Sequence, residues 1–359
     1  MLILVINPGS TSTKIAVYKD LTPLFEQSLR HSVEDLSKYS SVADQFDFRK
    51  GEILKALKEN KIELAQLDVI MGRGGLCKPI SSGVYRVNEA MLSDLRNAIN
   101  GEHASNLGAI LASDIAASAS QASGKKVPAF IADPVMVDEY ESVARFSGHA
   151  LVERKSTFHA LNQKAIARRY AKENGLKYNE LNLIVAHLGG GVSVGIHKKG
   201  KVVDANNALY GEGPFSPERA GGLPTWGVID LCYSGKYTKK EAIKLLTGKG
   251  GVVSYFGSNS FMDLEDAVHK GDKKAIDILE AFCYQISKEI GALATVVGGK
   301  VDAILVTGGV ANHQNVIDLI TEHAGFIAPV KAYPGEDEMG ALAQNAYAAV
   351  TGEEEVKDY

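Results

Sequence analysis

One glycine-rich strand-turn-strand pattern occurs twice in this chain, and it constrains the fold more than any other feature. Leu2 to Ile6 is an apolar run that enters NPGSTSTK (Asn7 to Lys14) and leaves through Ile15 to Tyr18. About half the chain later, Leu183 to Leu188 enters GGGVSVG (Gly189 to Gly195) and leaves through Ile196. Without a Cβ, glycine permits positive φ and close approach, so successive N–H groups can point at phosphate oxygens. Ser10, Thr11, Ser12 and Thr13 add hydroxyls, and Lys14 adds a cation. Either loop alone is better read as a plain hairpin turn. Their pairing, with what lies between them, favours two half-molecules facing a phosphate-bearing ligand. The chain has no GxxxxGK[ST], and GGGVSVG lacks the spacing and acidic partner of a dinucleotide fold. Each loop is expected to return straight into a strand.

A length of 359 residues suits two domains. A net charge of −4 argues against a basic nucleic-acid surface, so no nucleic-acid partner is expected. Leu2 to Ile6 is too short for an export signal, and no apolar segment approaches the roughly 20 residues needed to span a bilayer. No membrane partner is expected either. Cys77, Cys232 and Cys283 are an odd number without metal-ligand spacing and read as reduced thiols of a cytoplasmic protein.

Apolar strands alternate with amphipathic helices, the pattern of α/β layering. Strands are expected at Leu67 to Met71, Val127 to Ala132, Leu183 to Leu188, Lys201 to Ala205 and Val301 to Val306. From Lys273 to Val297 apolar residues recur at three- and four-residue spacing until Gly298 and Gly299 stop the helix. A shorter helix begins at Asn88, placed to cap it. Met339 to Val350 forms a last helical stripe, and the acidic Gly352 to Tyr359 is expected to fray. The polar bend Gly148 to Thr157 marks a domain boundary. The expected domains are therefore 1–155, with the helix 337–350 packing back on it, and 156–336.

The residues suited to chemistry follow strands or sit in small-residue loops, where α/β folds place their ligands. Arg73 lies in GRGG, whose glycines would let the guanidinium approach a carboxylate or phosphate. Asp133, after Val127 to Ala132, could hold Mg²⁺ or orient a nucleophile, or simply start a turn. His159, in STFHALN, would sit just inside a helix capped by Ser156 or Thr157 and could donate to a phosphoryl group, or serve only as a capping or packing histidine. His187 could touch phosphate or merely complete the hairpin. Arg219, in SPERAGG, would supply a second cation. Gly308 and Gly309, before a helix opening near Asn312, would let a flat nucleoside lie against the backbone.

With these residues placed, the chain resembles the acetate and butyrate kinase family, within the superfamily of sugar kinases, Hsp70 and actin. The likeness rests on NPGSTSTK, GRGG, FIADP, STFHALN, AHLGGGVSVG, SPERAGG, VTGGVAN and YPGEDEMGA, in that order from Leu2 to about Tyr347. It implies two ribonuclease H-like, actin-like ATPase domains with a nucleotide cleft, and reversible transfer of the γ-phosphoryl group of ATP to a short-chain carboxylic acid, giving acyl phosphate and ADP. It implies Mg²⁺ held with the help of Asn7 and Glu338, with Glu336 and Asp337 as adjacent alternatives. Ser10, Ser12 and Lys14 would line the phosphates, with His187 beside them, and Gly189, Gly190 and Gly191 would contact the β/γ region. Gly308 and Gly309 would hold adenosine. Arg73 and Arg219 would flank the transferred group, Asp133 would order the metal or acceptor, and His159 would stabilise charge in flight.

The second loop reads GGG where acetate kinase has a central asparagine, and alanine follows His159 where glycine is usual, so the chain is more like the butyrate kinase members. Butyrate, isobutyrate and other short acids, acetate and propionate included, remain open, because one methylene is worth only about 1–3 kcal/mol in an apolar pocket. A sugar or polyol kinase with Asp133 as base is a competing reading. A nucleotide-gated switch is another, and it lacks a partner-binding extension. The family likeness implies a homo-oligomer of at least two copies, with Lys273 to Val297 as a candidate surface.

Overall fold

The computed structural model describes residues 1–359, apart from the side chain of Val33. The chain divides into two compact units, Met1–Val137 with Asp337–Tyr359, and Asp138–Glu336. Along the sequence, β1 (Leu2–Pro8), β2 (Ser12–Lys19), β3 (Thr22–Arg30), β4 (Val69–Arg73), β5 (Val84–Arg86) and β6 (Ala129–Ala132) belong to the first unit. β7 (Phe146–His149) and β8 (Val152–Glu153) form a small hairpin in the second unit. They precede its main sheet of β9 (Asn182–Leu188), β10 (Val192–Lys198), β11 (Lys201–Ala205), β12 (Ala303–Gly308) and β13 (Val330–Pro334). β14 (Val356–Asp358) returns to the first.

Both sheets repeat one topology. In the first unit the order β3-β2-β1-β4-β6 is continued by β5 and β14, and in the second it is β11-β10-β9-β12-β13. The first three strands of each run antiparallel, and the fourth and fifth join parallel. This is the ribonuclease H-like arrangement, present twice in a mixed α/β chain.

The apolar strand runs follow from covering a sheet on both faces. On β9, Ile184 and Ala186 pack with Phe282, Ile286 and Ile290 of the helix Lys273–Ala294. Leu183 and Val185, of opposite pleat, pack with Ala167 and Tyr170 of the helix Ala160–Glu173. The long helix thus spends its apolar stripe on its own unit's core, which removes that stripe as a free surface for a second copy. It gives way to a 3-10 turn and stops at Gly298, whose φ of 61° is the left-handed cap expected there. Asn88 caps its helix by accepting from the Met91 N–H.

Three expectations change. The division falls at Val137/Asp138, ahead of the 148–157 bend, because residues 138–155 are tied to the second unit. There Glu139 pairs with buried Lys164, and Arg154 pairs with Asp204 and Glu212. The acidic tail does not fray. β14 pairs with β5, the Tyr359 hydroxyl donates to Asp94, and Lys78 lies 4.0 Å from the Tyr359 ring centroid. Ser156 and Thr157 are buried and lie ahead of the capping position; the helix starts at Ala160, with His159 at that position. Among the described residues no helix is long and apolar enough to cross a membrane.

Candidate functional site

In the first unit the loop between β1 and β2 is held from its carbonyl side. Arg49, fully buried on the helix Phe46–Glu59, donates through Nη1 to the carbonyls of Gly9 and Ser12 at 2.9 Å each and to Thr13 Oγ1 at 3.0 Å. Its Nη2 reaches the Ser10 carbonyl at 3.3 Å, and Gln45 Oε1 takes the Nε and Nη2 donors. The Thr11 carbonyl accepts from the His31 N–H, and His31 Nε2 meets Thr13 Oγ1 at 2.9 Å. Burial, with the Arg49 charge second, lowers the His31 pKa to about 4. With the carbonyls engaged, the N–H groups of Ser10 and Thr11 have no partner among the described residues. Such a turn offers donors outward to an anion, over a buried cation. Ser10 and Lys14 are exposed and Ser12 half-buried. Gly9 has no positive φ, so this loop does not rely on left-handed backbone.

Beside the loop, Asn7, Arg73 and Glu338 converge. Asn7 Nδ2 donates to Glu338 Oε2 at 2.7 Å, and Arg73 Nη1 bonds the same oxygen at 2.6 Å and Asn7 Oδ1 at 3.2 Å. The three neighbouring acids have separate tasks. Glu338 joins this cluster, Asp337 caps the C-terminal helix by accepting from the Gly340 N–H, and Glu336, in the other unit, lies against His187. Glycines 72, 74 and 75 serve packing rather than ligand approach. A Cβ would meet Gly108 O at 2.3 Å from Gly72, Pro134 at 2.5 Å from Gly74, and Asn106 at 2.5 Å from Gly75. Asp133 follows β6, is buried, and adopts φ 38°; its Oδ1 accepts from Ser82 Oγ at 2.6 Å and the Gly83 N–H at 2.9 Å. It thus anchors its own turn.

In the second unit the loop between β9 and β10 is short, and side chains crowd around it. His159 and His187 stack with ring centroids 3.8 Å apart and planes 14° off parallel. His187, only 2% exposed, bonds Asn162 Oδ1 through Nδ1 at 2.8 Å, and its Nε2 lies 3.1 Å from Glu336 Oε1. His159 Nδ1 meets Ser193 Oγ at 2.8 Å. A Cβ on Gly191 would lie 2.1 Å from Arg219 Nη1 and 3.4 Å from His159 Cε1, so that glycine brings the arginine and histidine over the backbone. A Cβ on Gly189 would press on Glu336 at 2.9 Å, whereas one on Gly190 would meet nothing nearer than 3.9 Å.

Arg219 is half-buried, and among the described residues its guanidinium donates only to the Ala208 carbonyl, at 3.0 Å. Desolvation lowers its pKa, partly offset by the Glu218 charge. A desolvated cation without a carboxylate partner is suited to receive an anion. It lines a cavity of about 470 Å³ with Leu209, Pro214, Ile243 and Leu246. Gly308, φ 92°, lies against the Leu188 carbonyl, where a Cβ would come within 2.3 Å, while Gly309 faces open space.

The structure therefore gathers Asn7, Arg73 and Glu338 beside the Ser10, Ser12 and Lys14 loop. In the other unit it gathers His159, His187, Arg219 and the Gly189 to Gly191 loop. Sequence reading missed Arg49, Asn162 and Ser193. The last two lie within motifs already singled out, at one helical turn from His159 and inside GGGVSVG; Arg49 carried no signal.

A family model described as the acetokinase family matches residues 139–331. Butyrate kinase 1 of Clostridium acetobutylicum is 54% identical over 357 residues, 99% of each chain, and butyrate kinase 2 of the same organism is 53% identical over the same share. The crystal structure of Porphyromonas gingivalis acetate kinase shares the fold, with a TM-score of 0.77 at 19% identity over 97% of this chain and 99% of that one. The chain belongs to the acetokinase family.

Proposed function

We propose that this chain is a short-chain fatty acid kinase that moves the γ-phosphoryl group of ATP reversibly onto butyrate or a related short or branched acid. The observation that carries this reading is the 54% identity to a butyrate kinase across 99% of both chains. The chemistry of the residues supports it. Phosphoryl transfer is promoted chiefly by alignment and by compensating charge on the equatorial oxygens. The acceptor carboxylate is already ionised at neutral pH, with a pKa of about 4–5, and needs no general base. Arg219, desolvated and without a carboxylate partner, supplies a cation for an anionic acceptor or the transferred group. Arg73 supplies a second, with Glu338 and Asn7 setting its direction. His159 adds a hydrogen-bond donor beside Arg219, over the Gly191 backbone.

The loops take the nucleotide phosphates, and Gly308 with Gly309 takes the adenosine. Mg²⁺ fits the oxygen donors of Glu338 and Asn7, since this ion keeps several waters and binds through one or two protein groups plus phosphate. When bound, it would neutralise charge on the β- and γ-phosphates. Asp133, anchored in its turn, would order the acceptor side.

The apolar wall of the cavity beside Arg219 favours an acid with a hydrocarbon tail, and a C4 or C5 acid fits that reading. A cytoplasmic setting and a homo-oligomer belong to the same proposal. Buried Cys77 and Cys283, whose thiol pKa values burial raises to about 12, are inert. The helix Thr225–Tyr233, with Trp226 79% and Tyr233 87% exposed, is the better candidate face for a second copy.

Hydroxamate trapping with ATP, Mg²⁺ and C2 to C6 acids tests the reading. Acyl hydroxamate should form, most strongly with C4 or C5 acids. No product with any acid, alongside turnover of a sugar, would overturn it.

A further inference from the structure

Behind His159 lies a chain of buried polar side chains whose hydrogen-bond directions are all fixed by one backbone carbonyl. Gln163, Ser193 and His197 are each fully buried. Gln163 Nε2 lies 3.0 Å from the Ser193 carbonyl and 2.9 Å from Ser193 Oγ. A carbonyl only accepts, so that end of the Gln163 side chain is its NH₂ group, and Oε1 is the end that faces His197 Nε2 at 3.1 Å. His197 must therefore donate from Nε2. Burial, then the charges of Lys164 and Arg168, keep this ring well below its usual pKa and hence neutral. Its Nδ1 is thus an acceptor, and the Tyr178 hydroxyl, 2.8 Å away, donates to it.

The same logic runs toward the loop. Ser193 Oγ accepts from Gln163 Nε2 and from the His159 N–H, the latter at 3.3 Å. Both lone pairs of the hydroxyl are then filled. Its own proton is left to point at His159 Nδ1, 2.8 Å away. A neutral ring that accepts at Nδ1 carries its proton on Nε2. GGGVSVG accommodates the relay, because a Cβ on Gly195 would lie 2.6 Å from Gln163 Oε1. Gln163 itself sits one turn into the helix, its N–H bonded to the His159 carbonyl.

We propose that the relay Tyr178, His197, Gln163, Ser193 holds His159 as its Nε2–H tautomer, so that the ring donates to the transferring phosphoryl group; Ser193 and Gln163 are positioning residues. This rests on the reading of His159 given under the proposed function. An Nε2 that carries the proton has no lone pair with which to attack phosphorus. The histidine is thereby kept a hydrogen-bond donor and barred from acting as a nucleophile.

The test is long-range ¹⁵N–¹H NMR of the ¹⁵N-histidine-labelled protein, with His159 assigned by the signals lost in His159→Gln. The wild type should show Nδ1 unprotonated and Nε2 protonated. In Ser193→Ala that preference should disappear, and kcat should fall about tenfold while KM for ATP and for the acid changes less than twofold. Gln163→Glu, an isosteric change that cannot donate to Ser193, should move His159 toward Nδ1 protonation with a similar loss of kcat. A wild-type spectrum with His159 protonated at Nδ1 overturns the relay, as do Ser193→Ala and Gln163→Glu proteins with wild-type spectrum and kcat. A relay intact by NMR in a wild type that makes no acyl phosphate would refute the kinase reading alone.

Discussion

The two units build the same hairpin between the first two strands of the same sheet order, and they equip it in opposite ways. The first loop is supported from beneath, where the buried Arg49 guanidinium holds the carbonyls of Gly9, Ser10 and Ser12. The second is cleared from above, where the lack of a side chain at Gly191 lets Arg219 and His159 approach the backbone. In one, the cation sits behind the peptide groups and acts through them; in the other, it stands in front. One topology thus delivers positive potential by a fixed backbone or by a side chain, and the glycines matter for different reasons. None of Gly9, Gly189, Gly190 or Gly191 has a positive φ. Clearance is required at Gly189 and Gly191, where a Cβ would press on Glu336 and Arg219, and not at Gly9 or Gly190.

The front-standing Arg219, and Arg73 beside the first loop, should dominate turnover. Arg219→Ala and Arg73→Ala should each lower kcat by about 10²-fold or more, measured by hydroxamate release, while ADP still binds. A wild-type rate in either would remove that residue from the chemistry. Clearance can be broken without removing a charge. Gly191→Ala should cost about 10- to 10²-fold in kcat with little loss of stability, since Arg219 can swing aside, whereas Gly190→Ala should remain within about twofold. Equal effects of the two would mean that the loop is sensitive to any side chain.

Arg49→Met addresses the support beneath the first loop. It strands several part-buried carbonyls, each costing up to about 1–3 kcal/mol when left unpaired, offset by removing a buried charge with neutral partners. A net loss of about 2 kcal/mol in urea unfolding is expected, with a raised KM for ATP. Wild-type values for both would show that the loop supports itself.

The smallest effect lies in pH. The unfolded chain protonates His31 below about pH 6.5 and the folded chain only near pH 4, so stability falls as pH drops through that window. The slope is at most about 1.4 kcal/mol per pH unit. Urea midpoints at pH 7, 6 and 5 should fall for the wild type and fall less for His31→Gln. Parallel curves would show that His31 does not remain neutral in the fold.

Much of this was legible in the sequence because periodicity carries it. The β9–β10 hairpin and the Lys273 helix were visible as apolar patterns, and motif order carried the family likeness. What stayed hidden depends on distant contacts. Arg49 lies where a polar stretch shows no periodicity, and its partners are carbonyls, which look alike in every residue. Glu336, Asp337 and Glu338 are indistinguishable in sequence, yet Glu336 ends the second unit, Asp337 caps the C-terminal helix and Glu338 opens it, so each acid has a different task. The glycines of GRGG suggested ligand approach; Gly72 and Gly75 instead let the helix Asn106–Ser123 pack close, and Gly74 makes room for Pro134. Tyr359 ordered a tail whose acidity alone predicted fraying, because one aromatic ring with a lysine and an aspartate for partners outweighs local composition.

The central claim is that these side chains align and neutralise, and that none of them carries the phosphoryl group. Transfer from ATP made chiral at the γ-phosphorus with oxygen isotopes and sulfur tests it directly. A single in-line displacement predicts inversion at phosphorus in the acyl phosphate; retention would reveal a phosphorylated enzyme residue, with His159 the first suspect, and would contradict the account.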